Sequence, residues 1–91
     1  MGKEQVLFKS EEKMSSKEAA NLLREIADKI EKGKISIAQA DKQISLEIPQ
    51  RVEVELKAEK EISHKKTTEK LEIEIEWIVE STAQGKAVKI T

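Results

Sequence analysis

Residues 71 to 80 read Leu-Glu-Ile-Glu-Ile-Glu-Trp-Ile-Val-Glu, a period-two run that sets Leu71, Ile73, Ile75, Trp77 and Val79 on one side of an extended chain. The run from Arg51 to Glu59 has the same period, with Val52, Val54, Leu56 and Ala58 on one side. Together they predict a long hairpin, apolar on one face and mostly carboxylate on the other. A strand from Val52 to about Ile62, a polar loop around His64 to Thr68, and a closing strand through Trp77 follow from this pattern.

Between Ser15 and Gly33 the period changes. Ala19, Ala20, Leu22, Leu23, Ile26, Ala27 and Ile30 recur at steps of three and four, the stripe of an amphipathic helix. Met14-Ser-Ser-Lys-Glu18 fits a capping box at its start, and Lys32-Gly33 closes its last turn. Val6 and Phe8 predict a short first strand. After Gly33, Ile35 and Ile37 predict a second, Ala38 to Lys42 a turn, and Ile44, Leu46 and Ile48 a third that Pro49 interrupts. One apolar helical stripe and several one-sided strands predict an α+β fold. In it a single helix packs on one face of a twisted, mostly antiparallel sheet of about five strands, in the order β-α-β-β-β-β. Residues 1–80 are expected to form one domain, and residues 81–91 a C-terminal tail or short edge strand. The expected core includes Leu23, Ile26, Ile75 and Trp77.

Composition narrows the chemistry. Ninety-one residues suffice for one small core. The 17 basic and 18 acidic side chains nearly cancel, which removes the global electrostatic case for nucleic acid or an anionic membrane. Cysteine is absent, which is compatible with a cytoplasmic location. No stretch reaches membrane-spanning length, and Val6 stands where a myristoylation signal needs Ser or Thr. Sixteen of the acids are Glu and fifteen of the bases Lys, a thermophile-like balance.

A short first strand, a Ser-capped helix carrying Glu18-Ala-Ala20, Ile26-Ala27 followed by Gly33, the Leu46-Glu-Ile-Pro49 step and the amphipathic last strand with Trp77 together resemble the amphi-Trp domain. The resemblance covers roughly residues 4 to 80. It implies amphipathic strands around a tryptophan and carries no activity, cofactor or site with it.

Trp77 could stack on a ligand, yet it keeps phase with its apolar neighbours and is expected in the core. The carboxylate face is the more unusual feature. Glu53, Glu55, Glu59 and Glu61 on one strand and Glu72, Glu74, Glu76 and Glu80 on the other meet only Lys57 and Lys70, so the face is expected to be net negative in any register that keeps the apolar side inward. Carboxylates two apart on a strand lie ~6.7 Å apart and do not converge as a calcium site requires, so no metal is expected. Nor does an open face hold one carboxyl protonated for acid–base catalysis. His64, the only histidine, lacks an orienting partner. Lys65-Lys66 and the helix bases Lys17, Arg24 and Lys32 have no interleaved aromatics, so nucleic acid is not expected. Isolated glycines build no phosphate loop.

These readings converge on a non-enzymatic cytoplasmic module without cofactor. It is expected to bind another protein or a second copy of itself, using the acidic face (Glu53, Glu55, Glu59, Glu72, Glu74, Glu76) toward a basic partner, or a free sheet edge. The alternative is a carrier that holds a flavin-like ligand between subunits, as dodecins do. Against it, Phe8 is the only aromatic besides Trp77.

Overall fold

The computed structural model describes residues 2–79 and contains one helix and four strands in that span: α1 (Ser16–Lys32), β1 (Lys34–Gln39), β2 (Lys42–Glu47), β3 (Glu53–Ile62) and β4 (Thr67–Glu76). The class is α+β, and all pairing is antiparallel. Two separate hairpins, β1–β2 and β3–β4, replace the expected single sheet of about five strands. Pro49 stands between β2 and β3 and has no amide hydrogen with which to continue a ladder. Val6 to Phe8 is not a strand either. An alternation of two apolar residues is too short to hold a register by itself. The expectation for residues 81–91 lies outside the described residues. The chain divides into two compact units, one ending at Gln50 and the other starting at Arg51.

In the first unit, the sequence grammar of the helix is realised at both ends. The Ser15 N–H donates to Glu18 Oε1 at 3.0 Å and the Glu18 N–H donates to Ser15 Oγ at 3.1 Å, which satisfies two of the donors a helix start leaves free. At the other end Gly33 adopts φ 87°, and its N–H donates to the carbonyls of Lys29 and Ile30, both at 3.0 Å. A left-handed cap of this kind suits glycine because a Cβ strains the backbone there. The same residue turns the chain into β1, and its carbonyl accepts from the Ile48 N–H at 2.8 Å. That bond ties the end of the β1–β2 hairpin to the end of the helix.

The β1–β2 register sets Ile35 opposite Leu46 and Ile37 opposite Ile44, all four half-buried, on one face. Ser36 and Ser45 meet on the other, with their hydroxyls 2.8 Å apart. Helix α1 packs against β1. Ile48, 8% exposed, is the buried apolar residue among those described. The hairpin turns at Ala40–Asp41, where Ala40 takes φ 54°, a conformation that glycine or asparagine fills with less strain.

In the second unit, β3 and β4 pair along ten residues each. Their turn is closed locally: the Ser63 N–H and hydroxyl both donate to the Lys66 carbonyl at 2.9 Å. Val54 lies opposite Ile75, Leu56 opposite Ile73 and Ala58 opposite Leu71, so the apolar sides of both strands coincide. Strand β4 ends at Glu76, which leaves Trp77 just past the ladder and half-buried.

Candidate interaction surface

Strand alternation delivers every second residue of β3 and β4 to the polar face, and the register then decides which charges oppose. Near the turn the ladder is complementary: Lys57 is opposite Glu72 and Glu59 opposite Lys70. The Lys57 ammonium lies 3.4 Å from the Glu72 carboxylate, and Lys70 lies 3.6 Å from Glu59 and 3.5 Å from Glu72. At the open end the same register sets Glu53 against Glu76 and Glu55 against Glu74. Like charges directly opposed in this way weaken a ladder.

The protonation equilibria divide along the same line. A hydrogen bond with Glu74, followed by the negative charges of Glu74, Glu72 and Glu53, raises the Glu55 carboxyl above the ordinary carboxylate value. The ammonium groups of Lys70 and then Lys57 lower Glu72. Glu72 and Glu59 in turn raise Lys70. All six glutamates singled out from the sequence are exposed, yet the structure separates them. Glu53, Glu55, Glu74 and Glu76 gather at the open end, whereas Glu59 and Glu72 are held by lysines. A shallow depression of about 380 Å³ spans the junction, lined by Glu55, Lys57, Glu72, Ile73 and Glu74.

Of the residues expected in the core, Ile26, Ile75 and Trp77 are half-buried and Leu23 is half exposed. On the apolar side of β3–β4, Leu56 and Leu71 are each 68% exposed and Ile73 is 50% exposed. A two-stranded ribbon is a single layer and cannot cover its own face. His64 is exposed in the β3–β4 turn. Among the described residues no group of three or more His, Cys, Asp or Glu is arranged to hold a metal ion, and no helix is long and apolar enough to cross a membrane.

One feature is not apparent in the sequence. In the first unit a groove of about 500 Å³ runs beside β1, lined by Phe8, Leu22, Ile26, Ile35 and Ile37 among others. Its signal was split between three segments, the N-terminal stretch, the helix and β1, and no single stretch reveals it.

The Amphi-Trp domain family model matches residues 1–91, the whole of the chain. No curated protein and no solved structure matches it.

Proposed function

This chain belongs to the Amphi-Trp domain family, and we propose that it is a non-enzymatic cytoplasmic module that binds another protein or a second copy of itself through the β3–β4 hairpin. The recognition surface is the acidic end of the polar face, and the partner is a basic protein segment or, along a free strand edge, another copy of the chain. The observation that carries this reading is the register. It opposes Glu53 to Glu76 and Glu55 to Glu74 with no lysine across either pair. A cation brought by a partner would relieve that repulsion, so binding gains from the same charges that weaken the free ribbon.

The test is calorimetric titration of the full chain with a Lys/Arg-rich peptide at low and high salt, together with light scattering. Expected are binding that weakens with salt, a further loss in the Glu55→Gln, Glu74→Gln double variant, and no loss in Glu69→Gln. Glu69 sits opposite Lys60 on the other side of the ribbon and pairs with it at 3.6 Å. A chain that stays monomeric at high concentration and ignores the peptide at low salt is not such a module.

A further inference from the structure

The groove in the first unit touches consecutive residues of β1, from Ile35 to Gln39. A strand presents alternate residues to a face, so a consecutive run means that the groove follows the strand's edge. The phase of the ladder tells which groups that edge offers. The Ile48 N–H donates to the Gly33 carbonyl at 2.8 Å, which makes Gly33 and Ile48 a hydrogen-bonded pair. Alternation along the register then makes Ile35–Leu46 and Ile37–Ile44 hydrogen-bonded pairs, whereas Ser36–Ser45 and Ala38–Gln43 are not. The N–H and C=O of Ser36 and Ala38 therefore point away from β2, on the edge that the groove follows. Among the described residues neither has another backbone partner.

We infer that this groove docks an extended peptide segment of another protein, which adds to the outer edge of β1 as a strand, with apolar side chains at alternate positions and a basic residue between them. Each part of that description comes from a wall of the groove. Unpaired backbone groups at strand spacing are met by another backbone. Phe8, Leu22, Ile26, Ile35 and Ile37 line the groove and receive the apolar side chains of one phase. The charged residues of its walls, Glu12, Glu25 and Lys29, are net negative, which favours a basic residue in the other phase. At about 3.3 Å per residue, the run from Ile35 to Gln39 accommodates roughly five residues of the segment.

A second copy of this chain fits less well. Its own β1 arrives with β2 and α1 attached, and a groove of about 500 Å³ bounded by α1 and the stretch from Phe8 to Glu12 has room for a single extended segment. The site lies wholly within the first unit. It goes beyond the binding role of β3–β4 and stands without it.

The probe is a capped six-residue peptide of alternating valine and threonine, with lysine in place of the central threonine, titrated into the full chain and followed by amide NMR. Saturable binding is expected, with the Ser36 and Ala38 amides exchanging about ten times more slowly in the complex. The Ile35 and Ile37 amides, already in the β1–β2 ladder, are expected to keep their rates. Successive amides of a strand point to opposite edges, so N-methylation of the valines and N-methylation of the other residues have unequal effects. One set weakens binding about tenfold and the other leaves it nearly unchanged. Ala38→Pro removes an outward N–H without breaking the β1–β2 ladder and weakens binding several-fold, whereas Ala38→Val keeps the amide and the affinity. No saturation at millimolar peptide, equal effects of the two methylations, or binding that leaves Ser36 and Ala38 exchange unchanged overturns the proposal. Shifts confined to Glu55 and Glu74 place the peptide on the acidic face instead, which overturns this site and supports the role of β3–β4.

Discussion

The two hairpins are built from the same alternating grammar and differ in what lies against them. In β1–β2 the outer face sets Lys34 opposite Glu47, Ser36 opposite Ser45 and Ala38 opposite Gln43, with the two serine hydroxyls hydrogen-bonded at its centre, and helix α1 packs against β1. In β3–β4 the outer face is a ladder of charges, and the apolar side has no second layer among the described residues of its own unit. Alternation therefore fixes which side chains share a face, while cover and charge pairing are settled by the neighbours and by the register. The first hairpin is held by burial and caps. The second is held by its ladder, its turn and a balance of charges that changes sign along its length.

The largest test of this contrast is Ile48→Ala. Ile48 is 8% exposed, so truncation removes buried apolar area while leaving its backbone N–H bond to the Gly33 carbonyl in place. A loss of about 2–4 kcal/mol is expected in urea unfolding. Amide protection in β3 and β4 should survive at urea concentrations where β1 and β2 have lost theirs. If both hairpins lose protection in step, they form one cooperative block and the contrast fails.

Gly33→Ala ranks next. At φ 87° an added Cβ strains the backbone whatever space surrounds it, and about 1–2 kcal/mol is expected to be lost from the first unit. Ser15→Ala removes the hydroxyl that accepts from the Glu18 amide and is expected to lower stability by about 1 kcal/mol. Restoring the cap with Ser15→Thr or Ser15→Asp should recover most of it. Circular dichroism during thermal unfolding checks both substitutions.

What the sequence disclosed follows from the range of the interactions involved. The helix and its caps were legible because Ser15, Glu18 and Gly33 act within one turn of themselves. The β3 and β4 faces were legible because Val54 through Ala58 and Leu71 through Ile75 keep an unbroken period of two. The assembly of the strands into sheets was not, because pairing between β2 and β3 would have been a non-local event across Pro49 that no local pattern reports. Val6 and Phe8 alternate as a strand would, but they have no partner in a ladder among the described residues. For the acidic face, an excess of carboxylate was readable in advance by counting lysines. Its concentration at Glu53, Glu55, Glu74 and Glu76 required the register.

The β1–β2 turn offers an improvement. Ala40 sits at φ 54°, so Ala40→Gly removes a left-handed strain that outweighs the extra freedom glycine gives the unfolded chain. A gain of about 0.5–1 kcal/mol in the first unit is expected from urea unfolding, with no change in β3–β4. A loss would mean that the surrounding turn, rather than the backbone of Ala40, sets the local energy.

The smallest effects are those of single exposed charges, and here the contrast moves inside the second hairpin. Glu55→Gln removes a repulsion with Glu74 and should raise the stability of the ribbon, while Glu72→Gln removes the partner of Lys70 and Lys57 and should lower it. Both changes shrink as salt is added, because exposed charges are screened. The pH responses have opposite signs. The Glu55 value is raised in the folded chain, so its repulsion is fully felt above that value and relieved as pH falls through it; mild acidification tightens the open end. The Glu72 value is lowered, so its contribution is complete above the ordinary carboxylate value and disappears as pH falls through the lower folded one; stronger acidification loosens the turn end. Carboxyl carbon shifts followed by NMR should show Glu55 titrating above Glu72, with amide protection near Glu55 rising before protection near Glu72 falls. If the two carboxyls titrate together and neither substitution changes stability, the register does not partition charge along the ribbon, and its ends are electrostatically equivalent.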